Sequence, residues 1–147
     1  MSNWGYAGEV SDIPAQDPAG PTQEFVSDVF ARGCTSRAAF EDVTSKWASL
    51  ALLALGEGRY RFNALRRRID GVSERMLSQT LQTLERDGML TREVLTAIPP
   101  RVEYSLTPLG TRVADQLRGL ADLLEASVPE VEAARDTHER GRRGPSM

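Results

Sequence analysis

The chain has one cysteine, Cys34, and one histidine, His138. A single cysteine excludes an intramolecular disulfide, and the two residues together are too few for a four-ligand zinc site. A Ser/His/Asp hydrolase would have to rest on His138 alone, in a polar stretch, so no catalytic residue, metal or cofactor is expected. No apolar run approaches the roughly 18 residues that a membrane span needs. Residues 1–33 lack the basic start and apolar core of a secretory signal, so a cytoplasmic location is expected. The remaining composition is ordinary. At 147 residues, with 40% hydrophobic and 27% charged, the chain can bury one domain's core without disulfide or metal staples.

Charge is unevenly spread within a net of −3. Met1 to Ala31 carries five acids and no Lys or Arg. Arg59 to Arg92 carries eight arginines against four acids. A basic segment inside an acidic chain points to a polyanion-facing surface or to a solvated helical face.

Residues 1–33 read as a flexible acidic arm, with Trp4 and Tyr6 as its large aromatics and a short helix near 22–31. Phe25, Val26, Val29 and Phe30 share one side of that helix, and Phe25 and Val29 are candidate oligomer contacts. A second helix spans Ser36–Ser45. Trp47–Gly56 is apolar nearly all round, which marks a central core helix, with Trp47, Leu50, Leu53 and Ala54 at helical spacing. Arg61–Ile69 places Phe62, Leu65 and Ile69 inward and Arg66, Arg67 and Arg68 outward. Asp70-Gly71 marks a turn. Ser73 then caps a helix that Gly88 ends. Its inward stripe is Leu77, Thr80, Leu81 and Leu84, and its polar face carries Arg75, Gln79, Gln82 and Arg86, flanked by Ser78 and Thr83.

Met89–Leu95 and Val102–Leu106 read as two strands joined by a stiff, proline-containing tip that ends in Arg101. Thr107 caps a long helix with Pro108 at its first position. Leu109, Val113, Leu117, Leu120 and Leu124 give that helix more apolar surface than a terminal helix of a small domain needs, which points to a dimer interface. A weak helix over Val128–Arg140 lies in the C-terminal tail, 127–147.

The order is core helix, helix, tight turn, helix, hairpin, long helix. That is the plan of a winged helix-turn-helix: mainly α with a small β-hairpin, an α+β domain over 34–126, with dimerisation helices at its N- and C-terminal sides, the latter at 108–126. In that plan the capped helix enters the major groove. Ser73, Arg75, Ser78, Gln79 and Gln82 would face base edges, where Arg pairs with guanine and Gln with adenine. Arg66, Arg67 and Arg68 would lie near phosphates, and Arg101 would reach a minor groove or a phosphate.

Several stretches resemble a known family. Cys34, Ser45-Lys46-Trp47 and Gly58-Arg59-Tyr60-Arg61-Phe62 are similar to the opening of HxlR-type transcriptional regulators. Ile69 to Leu81 looks like that family's recognition helix. Leu84 to Arg92 and Pro99 to Gly110 continue the match in order and at matching distances. The resemblance implies a homodimeric, cytoplasmic winged-helix regulator that binds double-stranded DNA; it would act by occupying its operator, as a repressor or an activator, with repression the favoured reading. It also implies an electrophile or small-molecule effector, with Cys34 as the thiol that would respond. The chain departs from the family pattern at Thr35, Ser45 and Gln82, and in lacking a tryptophan in its last helix.

Two bland readings stand beside these. A free cysteine is more often a small buried hydrophobe than a switch. A winged helix can also serve as a protein-interaction module without specific DNA binding.

Overall fold

The computed structural model describes residues 27–144. Phe25, Trp4 and Tyr6 lie outside them, as does most of the helix expected near 22–31. The part of that helix within view, 27–31, is not helical. It forms successive turns in which Ala31 N–H donates to the Asp28 carbonyl and Cys34 N–H to the Ala31 carbonyl, each at 3.0 Å. The Asp28 carboxylate accepts from Phe30 N–H at 3.0 Å, a local bond that competes with helix.

The chain divides into two compact units, residues 1–38 and 39–147. Six helices and three strands are present among the described residues: α1 (Thr35–Thr44), α2 (Lys46–Leu55), β1 (Tyr60–Arg61), α3 (Phe62–Arg68), α4 (Glu74–Arg86), β2 (Leu90–Ala97), β3 (Pro100–Leu106), α5 (Pro108–Ala126) and α6 (Val128–Arg143).

The second unit is built around α2. Ala48, Ala51, Leu52, Ala54 and Leu55 are its buried residues, and Trp47 packs partly buried against the core, whereas Leu50 is 40% exposed. Of the Trp47, Leu50, Leu53 and Ala54 set that the sequence favoured, Trp47 and Ala54 face the core, while Leu50 and Leu53 are turned further out than Ala51 and Leu52. A helix apolar on nearly every side leaves its rotation to its neighbours. Leu52, Leu65, Leu77, Leu81, Leu84 and Leu90 are fully buried, each stabilising the fold by about 2 kcal/mol of apolar transfer.

Helix α4 begins where the sequence predicts. The Ser73 hydroxyl accepts from Met76 N–H at 3.1 Å. Gly88, at φ +77°, turns the chain out of the helix into β2. Gly71, at φ +92°, makes the tight turn between α3 and α4.

The sheet is antiparallel in the order β1-β3-β2. Strand β1 was not legible in the sequence because it is only two residues long, pairing Tyr60 with Tyr104 and Arg61 with Glu103. The hairpin strands run further than expected, to Ala97 opposite Pro100, so the turn is only Ile98-Pro99. A bulge interrupts pairing between Val94 and Thr96.

Thr107 ties sheet to helix. Its hydroxyl donates to the Gly88 carbonyl at 2.6 Å and accepts from Gly110 N–H at 2.9 Å. Helix α5 buries Gly110 and Ala114, and packs Val113 and Leu117 against the core. Helix α6 extends to Arg143, past the expected Arg140, and buries none of its residues in this chain. The whole is a winged helix-turn-helix of α+β class.

Candidate nucleic-acid interface

The outer face of α4 is an open polar surface held from beneath by the core. Arg75, Ser78, Gln79 and Gln82 are all exposed. The buried triplet Leu77, Leu81 and Leu84 fixes their direction from beneath. Among the described residues Arg75 has no ion-pair partner, and Ser78, Gln79 and Gln82 make no side-chain hydrogen bond. Ser73 sits at the same end, its hydroxyl accepting the capping bond and keeping its proton for another acceptor. Met76 is 41% exposed beside them, an apolar patch that the sequence reading did not single out.

The three consecutive arginines of α3 have different surroundings. Arg66 reaches across the turn: its Nε donates to the Val72 carbonyl at 3.4 Å and its guanidinium lies 4.0 Å from Glu74. Arg67 is exposed and has no ion-pair partner among the described residues. Arg66 and Arg67 line a shallow depression with Asn63, Gly71 and Ser73 at the helix turn. Arg68 instead faces Glu57, with Nε to Oε1 at 2.9 Å and Nη2 to Oε2 at 2.6 Å. Tyr60 also donates to Glu57, at 2.8 Å. The Arg68 pair, followed by the Tyr60 bond, holds the Glu57 carboxyl at about 2, well below its ordinary 4.5.

Arg86 is likewise engaged. It lies 3.2 Å from Asp42 and 3.4 Å from Asp87. The Asp87 carboxyl beside Asp42, together with burial, raises the Asp42 carboxyl above its usual range. Arg86 thus anchors the end of α4 and contributes nothing free to the open face.

On the wing, Arg101 is exposed near the tip, opposite Thr96. Neither Glu103 nor Asp87, the acids that could have paired with it, holds it. Glu103 lies 3.7 Å from Arg59 and Asp87 lies against Arg86. The structure adds Arg92. It pairs across the strands with Tyr104, and both line a polar depression with Ser78 and Gln82 of α4. Alternation from buried Leu90 puts Arg92 on the α4 side of the sheet, a signal available in the sequence.

The surfaces expected to join two chains divide in the structure. Val113 and Leu117 pack, half-buried, against their own core. Leu109, Leu120 and Leu124 remain exposed at 39%, 53% and 52%, joined by Leu123, Val128 and Val131. In the first unit Val29 is half-buried, and Cys34 is half-exposed at the start of α1. Among the described residues no group of three potential metal ligands occurs, and no helix is long and apolar enough to cross a membrane.

A family model described as HxlR-like helix-turn-helix matches residues 42–132. The HTH-type transcriptional regulator YtfH of Escherichia coli K12 is 53% identical over 109 residues, covering 74% of this chain and 86% of that one. A solved structure of the transcriptional regulator YtfH from Salmonella typhimurium is 50% identical, with a TM-score of 0.70 over 76% of this chain and 99% of that one. The redox regulator HypR in its reduced form is 31% identical, with a TM-score of 0.61 over 66% of this chain and 96% of that one.

Proposed function

The chain belongs to the HxlR-like helix-turn-helix family of DNA-binding transcriptional regulators, and on that premise we propose how it binds. Two copies grip one operator. Each places α4 in a major groove, the two grooves about 34 Å apart along the duplex. Arg75, Gln79 and Gln82 read base edges, with Ser73 and Ser78 beside them. Arg66, Arg67 and Arg92 hold phosphates, and Arg101 contacts flanking DNA from the wing. Arg68 keeps the loop before α3 in place through Glu57. The regulator acts in the cytoplasm by occupying its site.

One observation carries this reading. Four arginines away from this face, Arg59, Arg68, Arg86 and Arg118, are engaged by carboxylates within the chain. On the α4 face, Arg75, Ser78, Gln79 and Gln82 have no side-chain partner among the described residues. Such groups gain most from an external polyanion with hydrogen-bonding edges. The test is Arg75→Ala and Gln79→Ala in the full chain. Each should cost about 10- to 100-fold in affinity for the selected duplex and relax base preference at one position. Unchanged affinity and preference in both would contradict the assignment.

We further propose that Cys34 is the input. It stands half-exposed where turn passes into α1, so its modification would alter the start of that helix. Diamide or a quinone should weaken DNA binding by the wild type and leave Cys34→Ser unaffected. Equal binding with and without oxidant would end the idea.

A further inference from the structure

We infer that Ile98 is an apolar wedge that enters the minor groove beside the operator half-site and unstacks a base step. The inference rests on the DNA-binding reading above and adds a contact that charge and hydrogen bonding do not supply.

The hairpin outruns the sheet. Strand β1 supports β3 only at Tyr104 and Glu103, and beyond the Glu93–Glu103 rung the ribbon is two-stranded to Ala97 opposite Pro100. Four residues at roughly 3.3 Å each carry the tip about 13 Å past the sheet. The minor groove is only about 7.5 Å deep. The tip is held in shape, because Thr96 Oγ1 donates to the Pro99 carbonyl at 2.8 Å across the turn.

This stiff tip presents apolar surface to water. Ile98 is 90% exposed, with Val94 at 55% and Leu95 at 42% behind it. A lone exposed isoleucine is unremarkable in folded proteins, but one at the end of a projecting ribbon that also exposes Val94 and Leu95 is placed for contact. The charge around it selects a polyanion. Residues 94–102 contain Arg101 and no acid. The nearest carboxylates on the strands, Glu93 and Glu103, lie 3.9 and 3.7 Å from Arg59, which offsets their repulsion of phosphate. Apolar side chains such as Ile and Pro, delivered to a minor groove beside an arginine, wedge between bases and kink the duplex.

The experiment uses the full-length, reduced protein and a duplex enriched from a random library by the wild type. 2-Aminopurine replaces each flanking adenine in turn. Wild type should raise fluorescence at one flanking step. Ile98→Ala should lose that rise and bind about tenfold more weakly, while Ile98→Leu keeps both. Because Ile98 is exposed, thermal midpoints should coincide. If wild type enriches no sequence, the DNA reading fails and the wedge falls with it. If Arg75→Ala loses preference but Ile98→Ala matches wild type in fluorescence and affinity, the wedge alone is overturned.

Discussion

Arg67 and Arg68 are neighbours in sequence with opposite uses, and the difference is measurable. Arg67 has no ion-pair partner among the described residues, whereas Arg68 meets Glu57 through two bonds. Arg67→Ala should weaken binding to all duplexes alike and lower the salt slope by about 1. Arg68→Ala should leave that slope unchanged. Its effect appears in acid instead. The Glu57 carboxyl is depressed from 4.5 to about 2, so its pairing stabilises the fold above the unfolded value and is lost as pH falls from about 4.5 to about 2. Both groups are partly exposed, so the gain is small. NMR titration should find Glu57 near 2 in wild type and raised toward its ordinary 4.5 in Arg68→Met, held below it by the remaining Tyr60 bond. The sequence shows three arginines in a row but not which one is already held, because the partner lies 11 residues away across a loop.

Elements were legible where local chemistry decides them. Ser73, Gly88, Thr107 and Pro108 mark ends by capping and backbone rules, and the structure has them in those roles. The rotation of α2 was not legible, since its apolar residues surround it. Strand β1 was not legible either, since two residues carry no alternation. Gly110 shows what sequence alone cannot: a methyl group there would overlap the Met89 carbonyl, so α5 meets β2 only through a bare Cα. Gly110→Ala should cost about 3 kcal/mol in urea unfolding. Thr107→Ala, which removes a cap and the bond to Gly88, should cost about 1–2 kcal/mol. A Gly110→Ala variant as stable as wild type would show that this junction yields more readily than it is packed.

At the scale of the molecule, an apolar surface that this chain leaves uncovered runs along α5 and α6. The stripe seen in the sequence mixed two jobs: Val113 and Leu117 serve the core, while Leu120, Leu123 and Leu124 are left outside. Periodicity could not separate them, because a long helix presents inner and outer apolar faces at the same spacing. We expect the outer set to join two copies, so a Leu120→Glu, Leu124→Glu double variant should sediment as a monomer where wild type is a dimer. It should also lose most of its operator affinity, since one α4 then acts without its twin. Monomeric wild type with full affinity would rule this out.

The central claim is that α4 reads DNA sequence, and fluorescence anisotropy tests it most directly. The reduced wild-type protein would be titrated, at near-physiological salt, against its own upstream intergenic DNA and a scrambled duplex of equal length. The account predicts a preference of about a thousandfold for the native duplex. Equal binding to the two, or binding to neither, would contradict it.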